Sequence, residues 1–379
     1  MGTIKKIKIC HLASGDLWAG AEVMLASLVK ALKQYDFLEV SAILCNRGIL
    51  EENLKAMDVP IRVISEAENN PLQLLIKIRN QLAAEKPTIL HTHRYKENFL
   101  GALAARMSGV RHIVCTVHGM AEPFRGLKNV KSSIYNFLNL QVQRFLLEKV
   151  ITVSNDIRRT LTKKIKPSKL ATVHNGIDLD RLKNIRPRNE IRRELSLPDD
   201  ALVLGSVGRM MPVKGYEYLL RACKLIFEKD SHARLIMVGE GPLRGRLESY
   251  AADLGIAGKV IFPGFLPETA DIINAMDIFV LSSLHEGISI SLLESLALGI
   301  PAVVTDVGGN PEVLEDGRHG RLVPPRDSNA LVEACLGLAN DSEKRLMMGN
   351  MGRDYIKANF SKEAMAEKMQ RIYLDLIKE

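Results

Sequence analysis

The chain has 379 residues, of which 46% are hydrophobic, and it carries a formal net charge of +8. This length can bury two hydrophobic cores, and no apolar run approaches the roughly 20 residues needed to span a bilayer. The five cysteines are scattered and form no C-x-x-C pair, which argues against a disulfide or metal scaffold and predicts free thiols in a reducing cytoplasm.

The positive charge is concentrated in the first half of the chain. Residues 1–174 contain 26 lysines and arginines against 14 acidic residues, whereas the remainder contains 26 against 30. A basic first half indicates an acidic partner, such as an anionic membrane surface or an anionic acceptor, or else a solvated surface with no partner. No nucleic-acid-binding motif is evident, so nucleic acid is not an expected partner.

Short apolar runs alternate with amphipathic stretches along the first half. The N-terminal segment lacks a long apolar core and a cleavage site, so it predicts a first strand and not a signal peptide. Such runs are typical of parallel strands covered by helices on both faces. The predicted strands are Ile7–Leu12, Val40–Leu44, Ile61–Ile64, Ile89–Thr92, Ile113–Val117, Val150–Val153 and Ala171–Val173. The predicted helices include Glu22–Leu32, Leu72–Ala84 and Phe99–Met107.

The pattern restarts after a charged, proline-containing segment at residues 175–200. Further strands are predicted at Leu202–Val207, Arg234–Val238, Val260–Phe262, Ile278–Leu281, Ala302–Thr305 and Gly320–Val323. The sequence therefore predicts an α/β fold with two doubly wound, Rossmann-like domains and a ligand-binding cleft between them. The predicted divisions are residues 1–174 for the first domain, 175–200 for the linker, 201–361 for the second domain and 362–379 for a closing helix that packs back on the first domain.

Two segments of the first domain carry candidate binding residues. The loop from Ser14 to Glu22 follows the first strand, and a phosphate could bind at the helix that begins near Ala21. Trp18 in this loop could stack on a sugar or base, or simply pack as part of a lid. His118 ends a predicted strand, where it could exchange a proton or hydrogen-bond a substrate hydroxyl.

Two further features of the first domain allow a functional and a structural interpretation. His91 and His93 share a strand face, but the sequence positions no third ligand, so acceptor contacts or packing are favoured over a metal site. The stretch from Pro123 to Glu148 combines basic and apolar residues and could lie on an anionic membrane, although packing against the sheet is the more common use of such a helix. Its basic residues are Arg125, Lys128, Lys131 and Arg144.

The second domain opens with a glycine-containing loop, Gly205–Gly215, after its first predicted strand. Arg209 and Lys214 in this loop suit phosphate binding, unless the loop is only a turn with solvated cations. Gly239–Gly245 resembles a dinucleotide fingerprint with the wrong final spacing, so tight strand–helix packing is favoured there. The D-x-D triplet of Asp178 and Asp180 opens a short helical stretch, where helix capping is favoured over metal binding.

Two glutamates separated by seven residues form the most informative motif of the chain. Glu286 follows a predicted strand, and Glu294 lies inside the helical pattern Ser289–Leu298. A helix start offers unpaired backbone N–H groups that suit phosphate. Two acids beside such a helix predict a ligand that carries both hydroxyl groups and phosphate, and a nucleotide sugar fits that description.

Together these motifs resemble the family 4 retaining glycosyltransferases, which have two Rossmann-like domains in the GT-B fold. The matching segments span nearly the whole chain, at residues 15–22, 116–119, 153–154, 174–178, 208–215, 238–242, 262–265, 286–294 and 297–304. One departure is the first loop, where many relatives have adjacent glycines but Asp16–Ala19 separates Gly15 from Gly20 here.

The resemblance implies a role for each candidate residue. Arg209 and Lys214 would neutralise the donor diphosphate, and Glu294 would hold the ribose hydroxyls. Glu286 and His118 would contact hydroxyls of the transferred sugar. The backbone of Gly287, Ile288 and Ser289 would bind the diphosphate and the sugar. The loop at Leu266 would contact the base, and Gly20 would contact the phosphates from the first domain.

The resemblance also implies a retaining glycosyltransferase that uses a nucleotide-diphosphate sugar, with UDP as the expected nucleotide, and that needs no divalent metal or other cofactor. The expected acceptor is a cell-envelope glycan or a lipid-linked molecule. The expected location is the cytoplasm, including the inner face of the cell membrane as a peripheral protein. The alternatives are a nucleotide-sugar epimerase of the same fold and a transferase that acts on a small soluble acceptor.

Overall fold

The computed structural model describes the backbone of residues 6–119 and 127–378 and the side chains of residues 6–119 and 136–378. The chain divides into two compact units. Met1–Gly176 and Lys362–Glu379 form the first unit, and Ile177–Ser361 forms the second. The last helix of the chain is therefore part of the first unit, although the second unit precedes it in sequence.

The first unit is built on a parallel sheet of seven strands in the order 3-2-1-4-5-6-7. Its strands are Ile7–Ala13 (β1), Leu38–Leu44 (β2), Ile61–Val63 (β3), Ile89–His93 (β4), His112–Val117 (β5), Lys149–Thr152 (β6) and Leu170–Thr172 (β7). The order reverses between β1 and β4, and ligands of doubly wound sheets bind beyond the carboxyl ends of strands at such a point. The loops after β1, β4 and β5 are therefore the functional edge of this unit.

Helices cover both faces of the first sheet. They are Gly20–Leu32 (α1), Ile49–Ala56 (α2), Pro71–Glu85 (α3), Tyr95–Ser108 (α4), Leu127–Phe145 (α5) and Asn155–Thr162 (α6). Local sequence signals set several ends: Asn70 forms a capping box with Gln73 before α3, and Gly109 ends α4 in the left-handed conformation. The core between sheet and helices is aliphatic, with Leu12, Leu90 and Val150 completely buried.

The second unit has a six-stranded parallel sheet in the order 10-9-8-11-12-13. Its strands are Val203–Val207 (β8), Arg234–Val238 (β9), Val260–Gly264 (β10), Ile278–Leu281 (β11), Ala302–Thr305 (β12) and Gly320–Val323 (β13). Its helices are Arg188–Glu194 (α7), Tyr216–Lys229 (α8), Arg244–Asp253 (α9), Ala270–Asn274 (α10), Ile290–Ala297 (α11), Asn310–Leu314 (α12), Ser328–Ala339 (α13) and Ser342–Asn359 (α14). Here the order reverses between β8 and β11, so the loops after these two strands should carry the ligand site.

The segment predicted as a linker is largely folded onto the second unit. Residues 177–200 contain a 3-10 helix at Leu179–Leu182 and helix α7. Arg188 and Arg192 of α7 both form ion pairs with Asp277, each at 2.6 Å, just before β11. High charge and proline content predict a connecting segment, whereas these charges are largely satisfied by specific partners in the fold.

The closing helix, Lys362–Lys378 (α15), packs against α1 within the first unit. Its Tyr373 is completely buried and is among the largest buried side chains of the described chain. This packing explains the helical spacing of the apolar residues in the last stretch of the sequence.

Candidate active site

The loop after β8 is held against the loop after β11. Gly215 has φ +59°, and a Cβ atom there would lie 2.3 Å from the carbonyl oxygen of Ser282, so only glycine fits without strain. The Leu284 N–H donates to the carbonyl of Val213 at 2.7 Å, and the Ser282 hydroxyl donates to the carbonyl of Lys214 at 3.0 Å. These contacts fix the backbone of Lys214 beside the residues that follow β11.

Lys214 and Glu286 form a mostly buried ion pair at this junction. The Lys214 Nζ donates to Glu286 Oε1 at 2.5 Å, and the two side chains are only 16% and 11% exposed. The Ser283 hydroxyl donates to the same carboxylate oxygen at 2.7 Å. Because each charge has a partner, a cation and an acid are stably held at the edge where the ligand is expected.

Arg209 provides a second cation in the same loop. Its side chain is exposed, and no hydrogen bond or ion pair engages it among the residues described. The adjacent Gly208 accepts a hydrogen bond from the Tyr216 hydroxyl at 3.2 Å. Burial, assisted by the charge of Glu286, raises the pKa of Tyr216, so this hydroxyl keeps its proton. The guanidinium of Arg209 is thus available to an anion.

Two glycines that the sequence interpretation missed shape the Glu286 loop. Gly308 has φ +57°, and a Cβ atom there would lie 1.9 Å from the carbonyl oxygen of Glu286. A Cβ atom on Gly309 would lie 2.1 Å from the carbonyl oxygen of Gly287, to which the Gly309 N–H donates at 2.8 Å. The adjacent Gly-Gly pair in the loop that follows the predicted strand Ala302–Thr305 is the signal that could have revealed this close approach.

Helix α11 begins where this loop ends. Ser289 caps the helix, and its Oγ accepts a hydrogen bond from the Leu292 N–H at 3.4 Å. The backbone of Gly287, Ile288 and Ser289 leads directly into the first turn, and all three residues are buried. Serine-capped helix starts beside a lysine and an arginine are suited to phosphate oxygens.

Glu294 lies inside α11 and is partly buried. Thr269 donates a hydrogen bond to its Oε2 at 3.0 Å. Burial raises the pKa of Glu294, while the charge of Arg181 and the hydrogen bond from Thr269 lower it. Arg181 itself pairs with Glu268 at 2.6 Å. The sequence interpretation missed Thr269 and Arg181, because no local motif connects them to the glutamate.

The loop after β10 contains Leu266, the predicted base contact. Gly264 ends the strand with φ +86°, and its carbonyl accepts the Gly239 N–H at 2.8 Å. Phe265 is exposed and Leu266 is half-buried. Gly239 is also the site of a close backbone approach, since a Cβ atom there would lie 2.1 Å from the carbonyl oxygen of Gly208. Gly239 therefore allows close backbone packing of the loop after β9 against the loop after β8, and the predicted strand–helix packing of this segment stays a prediction.

The D-x-D triplet has structural partners. Asp178 Oδ1 accepts a hydrogen bond from the Asp180 N–H at 3.2 Å and caps the 3-10 helix. Asp180 pairs with Lys183 at 2.7 Å. The capping role that the sequence predicts for Asp178 is confirmed.

The first unit carries Gly20 and His118 at the carboxyl edge of its own sheet. Gly20 is the exposed first residue of α1. Close by in this unit, Arg94 after β4 pairs with Glu22 at 2.5 Å, although Arg94 has an unusual φ of +72°. Trp18 is half-buried. Strained backbone of this kind is often found at functional edges.

Four histidines meet in the first unit. His93 lies 3.1 Å from His11 (Nε2 to Nδ1) and 3.1 Å from His118 (Nδ1 to Nε2). His91 Nδ1 is 2.6 Å from the Tyr373 hydroxyl, and its Nε2 is 2.8 Å from the Thr116 hydroxyl. Burial lowers the pKa of all four rings, to about 3 for His11 and His118. The rings are therefore neutral at physiological pH.

Two groups of described residues have ligand atoms close enough to hold a metal ion. The first is His11, His91 and His93, whose ligand atoms lie within 4.8 Å of one another. Both ring nitrogens of His91 already face hydroxyl groups, so this trio is a hydrogen-bonded cluster. The second is Cys45, Glu66 and Glu97. Burial raises the pKa of the Cys45 thiol, which disfavours the thiolate that binds metal.

The predicted basic surface falls only partly within the described structure. Arg125 and the side chains of Lys128 and Lys131 lie outside the described residues. Further along α5, Phe137 and Phe145 are exposed, and the guanidinium of Arg144 lies 5.5 Å from the centre of the Phe145 ring. None of the described helices is both long enough and apolar enough to cross a membrane.

The two halves of the sequence match two families of known proteins. Residues 18–181 match the family described as Glycosyltransferase Family 4, and residues 187–355 match Glycosyl transferases group 1. The UDP-Gal:alpha-D-GlcNAc-diphosphoundecaprenol alpha-1,3-galactosyltransferase of Escherichia coli is 27% identical over 99% of this chain and 98% of its own length. The N-acetyl-alpha-D-glucosaminyl L-malate synthase of Bacillus anthracis is 28% identical over 81% of this chain and 80% of its own.

Solved structures show the same fold. Anabaena HepE in complex with UDP-glucose superposes with a TM-score of 0.86 at 20% identity, covering 97% of this chain and all of the other. Two Rossmann-like parallel sheets with loop-borne cations and acids, combined with these matches, define a glycosyltransferase of the GT-B fold. The chain belongs to the family 4 glycosyltransferases.

Proposed function

We propose that this enzyme is a retaining, metal-independent glycosyltransferase that moves a sugar from a UDP-sugar to a lipid-linked or cell-envelope glycan acceptor. The observation that carries the proposal is the Lys214–Glu286 ion pair. It lies beyond the carboxyl ends of β8 and β11, the neighbouring strands between which the order of the sheet reverses. In this pair a cation suited to phosphate directly contacts a carboxylate suited to hydroxyl groups. A nucleotide sugar carries both kinds of group close together.

The donor would lie along the loops of the second unit. Lys214 and Arg209 bind the diphosphate, assisted by the backbone of Gly287, Ile288 and Ser289 before α11. Glu294 accepts hydrogen bonds from the ribose hydroxyls, and the loop at Leu266 contacts the base. Glu286 accepts hydrogen bonds from the sugar. The solved complex of HepE with UDP-glucose supports uridine as the nucleotide.

The two cations make metal-free cleavage of the sugar–phosphate bond chemically reasonable. As that bond breaks, negative charge develops on the diphosphate, where preorganised cations stabilise it. The acceptor hydroxyl attacks the same face of the sugar that the diphosphate leaves. Its oxygen forms the new bond to the anomeric carbon, and its proton passes to the departing phosphate oxygen. His118 and Gly20 of the first unit supply one sugar contact and one phosphate contact.

A relative and the chemistry of one surface support the proposed acceptor class. The name of the Escherichia coli relative specifies a diphosphoundecaprenol acceptor, which is a lipid. The exposed Phe137 and Phe145 beside Arg144 suit insertion at an anionic membrane surface. We therefore place the enzyme in the cytoplasm, docked at the inner face of the membrane, with no nucleic-acid partner.

A small soluble acceptor is a second candidate, favoured by the Bacillus anthracis relative whose name specifies L-malate. Vesicle sedimentation separates the two. Salt-sensitive binding to phosphatidylglycerol vesicles that is weakened by a combined Phe137→Ser and Phe145→Ser change supports the lipid acceptor. Equal recovery in the supernatant with and without vesicles, at low and high salt, contradicts it.

A panel of nucleotide sugars, screened by thermal shift in the presence of chelator, tests the donor assignment. A bound donor stabilises the folded enzyme by mass action, so UDP-sugars should raise the melting temperature without added metal. The same donors, incubated without acceptor, test the epimerase alternative. A new nucleotide sugar formed under these conditions would favour epimerisation over transfer.

A further inference from the structure

The two carboxylate oxygens of Glu294 have different surroundings. Thr269 Oγ1 donates a hydrogen bond to Oε2 at 3.0 Å. Oε1 meets no hydrogen-bond donor among the residues described, and it is not one of their buried, unpartnered side-chain atoms, so it is open to solvent. A ligand can therefore contact Oε1 while Thr269 keeps its bond to Oε2.

The Thr269 hydroxyl does not have the role that is usual at its position. Thr269 is the N-cap residue of α10, and an N-cap threonine normally accepts a hydrogen bond from a backbone N–H of the first turn. Its hydroxyl forms no such bond here and donates instead to Glu294 on α11. Removal of this hydroxyl should therefore free the carboxylate without uncapping α10.

The direction of this hydrogen bond follows from the chemistry of the two groups. An ionised carboxylate can only accept, so the threonine must donate. Burial raises the pKa of Glu294, whereas the charge of Arg181 and the bond from Thr269 lower it, and the charge of Glu268 has a smaller raising effect. Arg181 is held near the carboxylate by its 2.6 Å ion pair with Glu268, the neighbour of Thr269. Arg181 and Thr269 thus both favour the ionised form, which accepts hydrogen bonds from hydroxyl groups.

A glutamate that is held at one oxygen has less freedom to lose when a ligand binds. The last torsion of a free glutamate side chain is broad, and ordering such a side chain on binding costs free energy. We propose that Thr269 is a positioning residue that holds Oε2 of Glu294 so that Oε1 faces the ribose hydroxyls of the donor. The functional consequence rests on the proposed function, in which Glu294 contacts the ribose. The bond between Thr269 and Glu294 is a property of the free enzyme.

A pair of nucleotides separates positioning from a general effect on the loop. UDP carries both ribose hydroxyls, and 2′,3′-dideoxy-UDP carries neither. In calorimetric titrations the wild type should bind UDP roughly 10- to 100-fold more tightly than the dideoxy nucleotide. Thr269→Val removes the hydroxyl at nearly equal volume and should weaken UDP binding about tenfold while leaving the dideoxy nucleotide unaffected. Thr269→Ser keeps the hydroxyl and should retain the wild-type ratio.

Each contrary result of this titration has a distinct meaning. Equal weakening of both nucleotides in Thr269→Val would show that Thr269 shapes the loop only, and it would overturn the positioning role. An unchanged ratio in Thr269→Val would overturn it as well, with the ribose contact of Glu294 intact. If the wild type itself does not prefer UDP over the dideoxy nucleotide, the ribose contact in the proposed function is wrong, and the positioning role is lost with it.

The free enzyme provides a second measurement that needs no nucleotide. Carbon NMR of enzyme with ¹³C-labelled glutamate follows the titration of Glu294, and a Glu294→Gln variant assigns its signal. Thr269→Val should raise the pKa of Glu294, because a hydrogen bond to the charged form is lost, and Thr269→Ser should not. A Glu294 pKa that is the same in the wild type and in Thr269→Val would overturn the inference, whether or not the enzyme binds UDP.

Discussion

Lys214 and Glu286, which are 72 positions apart in sequence, meet in an ion pair of 2.5 Å. Their loops follow the two strands at which the order of the second sheet reverses. The family resemblance implies that Lys214 binds the donor diphosphate and that Glu286 contacts the sugar. Their contact supports a single binding site for the whole donor. When the donor binds, its diphosphate would replace Glu286 as the partner of Lys214.

Neutralising Glu286 and neutralising Glu294 should have different effects on UDP affinity and on turnover. Glu294→Gln removes a charged acceptor for the ribose, so UDP should bind roughly 10- to 100-fold more weakly. Glu286→Gln releases Lys214 from its ion pair, so UDP should bind at least as tightly as to the wild type while turnover falls about 100-fold. Calorimetry with UDP, together with initial rates, checks both. Parallel losses of UDP affinity in the two variants would contradict the division of roles.

Gly308→Ala should disable the Glu286 loop. The added methyl group would lie 1.9 Å from the carbonyl oxygen of Glu286 at a positive φ, so the loop must move. We expect turnover to fall at least about tenfold and stability to fall by more than about 1 kcal/mol.

Gly337→Ala in α13 is the matched control, because its Cβ would meet nothing within 4 Å. That helical substitution should raise stability by about 0.5–1 kcal/mol. Similar effects of the two changes would refute the packing argument.

The histidine cluster should make the enzyme sensitive to acid. Each of its four rings has a folded-state pKa below the ordinary value of 6.5, with His11 and His118 at about 3. The unfolded chain therefore binds more protons, and stability present above pH 6.5 is lost as the pH falls towards the folded-state values. Each ring contributes a slope of up to about 1.4 kcal/mol per pH unit.

Glu97 acts in the opposite direction, because burial raises its pKa from 4.5 to about 7. The folded protein therefore binds this proton more readily than the unfolded chain, so protonation of Glu97 stabilises the fold as the pH falls through this range. Burial also raises the pKa values of Glu22 and Glu294 above the ordinary value. Three carboxyl groups therefore oppose four imidazoles, and a net loss of stability is expected. Urea unfolding at about pH 7.0 and about pH 5.5, followed by circular dichroism, measures the difference. Equal stability at the two pH values would show that the histidines can be charged in the folded protein.

The sheets were largely predictable from the sequence because their strands are short apolar runs. Arg234–Val238, Ile278–Leu281, Ala302–Thr305 and Gly320–Val323 have the predicted bounds. The fold class is confirmed by the two parallel sheets and the structural relatives. The folded state of residues 177–200 was not predicted, since the partner of Arg188 and Arg192 is Asp277, far along the chain.

The candidate site was predictable only where residues sit in a motif. Lys214, Glu286 and Glu294 each lie in a recognisable loop or helix start. Thr269, Arg181 and the Gly308–Gly309 pair support these residues from other loops, and their contribution depends on tertiary contacts. The connection of His118 to His11 likewise depends on the order of three neighbouring strands, which single-sequence patterns do not encode.

We propose that Lys214 binds the donor diphosphate without a metal. Calorimetric titration of UDP into wild-type enzyme and into Lys214→Gln, both in chelator, tests it most directly. The glutamine can still hydrogen-bond to Glu286 but carries no charge, and Lys229→Gln at the exposed end of α8 is the control. We expect UDP to bind without a metal, with an affinity that Lys214→Gln weakens roughly 10- to 100-fold and that Lys229→Gln leaves intact. Equal affinity of wild type and Lys214→Gln, or binding only with an added divalent cation, would contradict it.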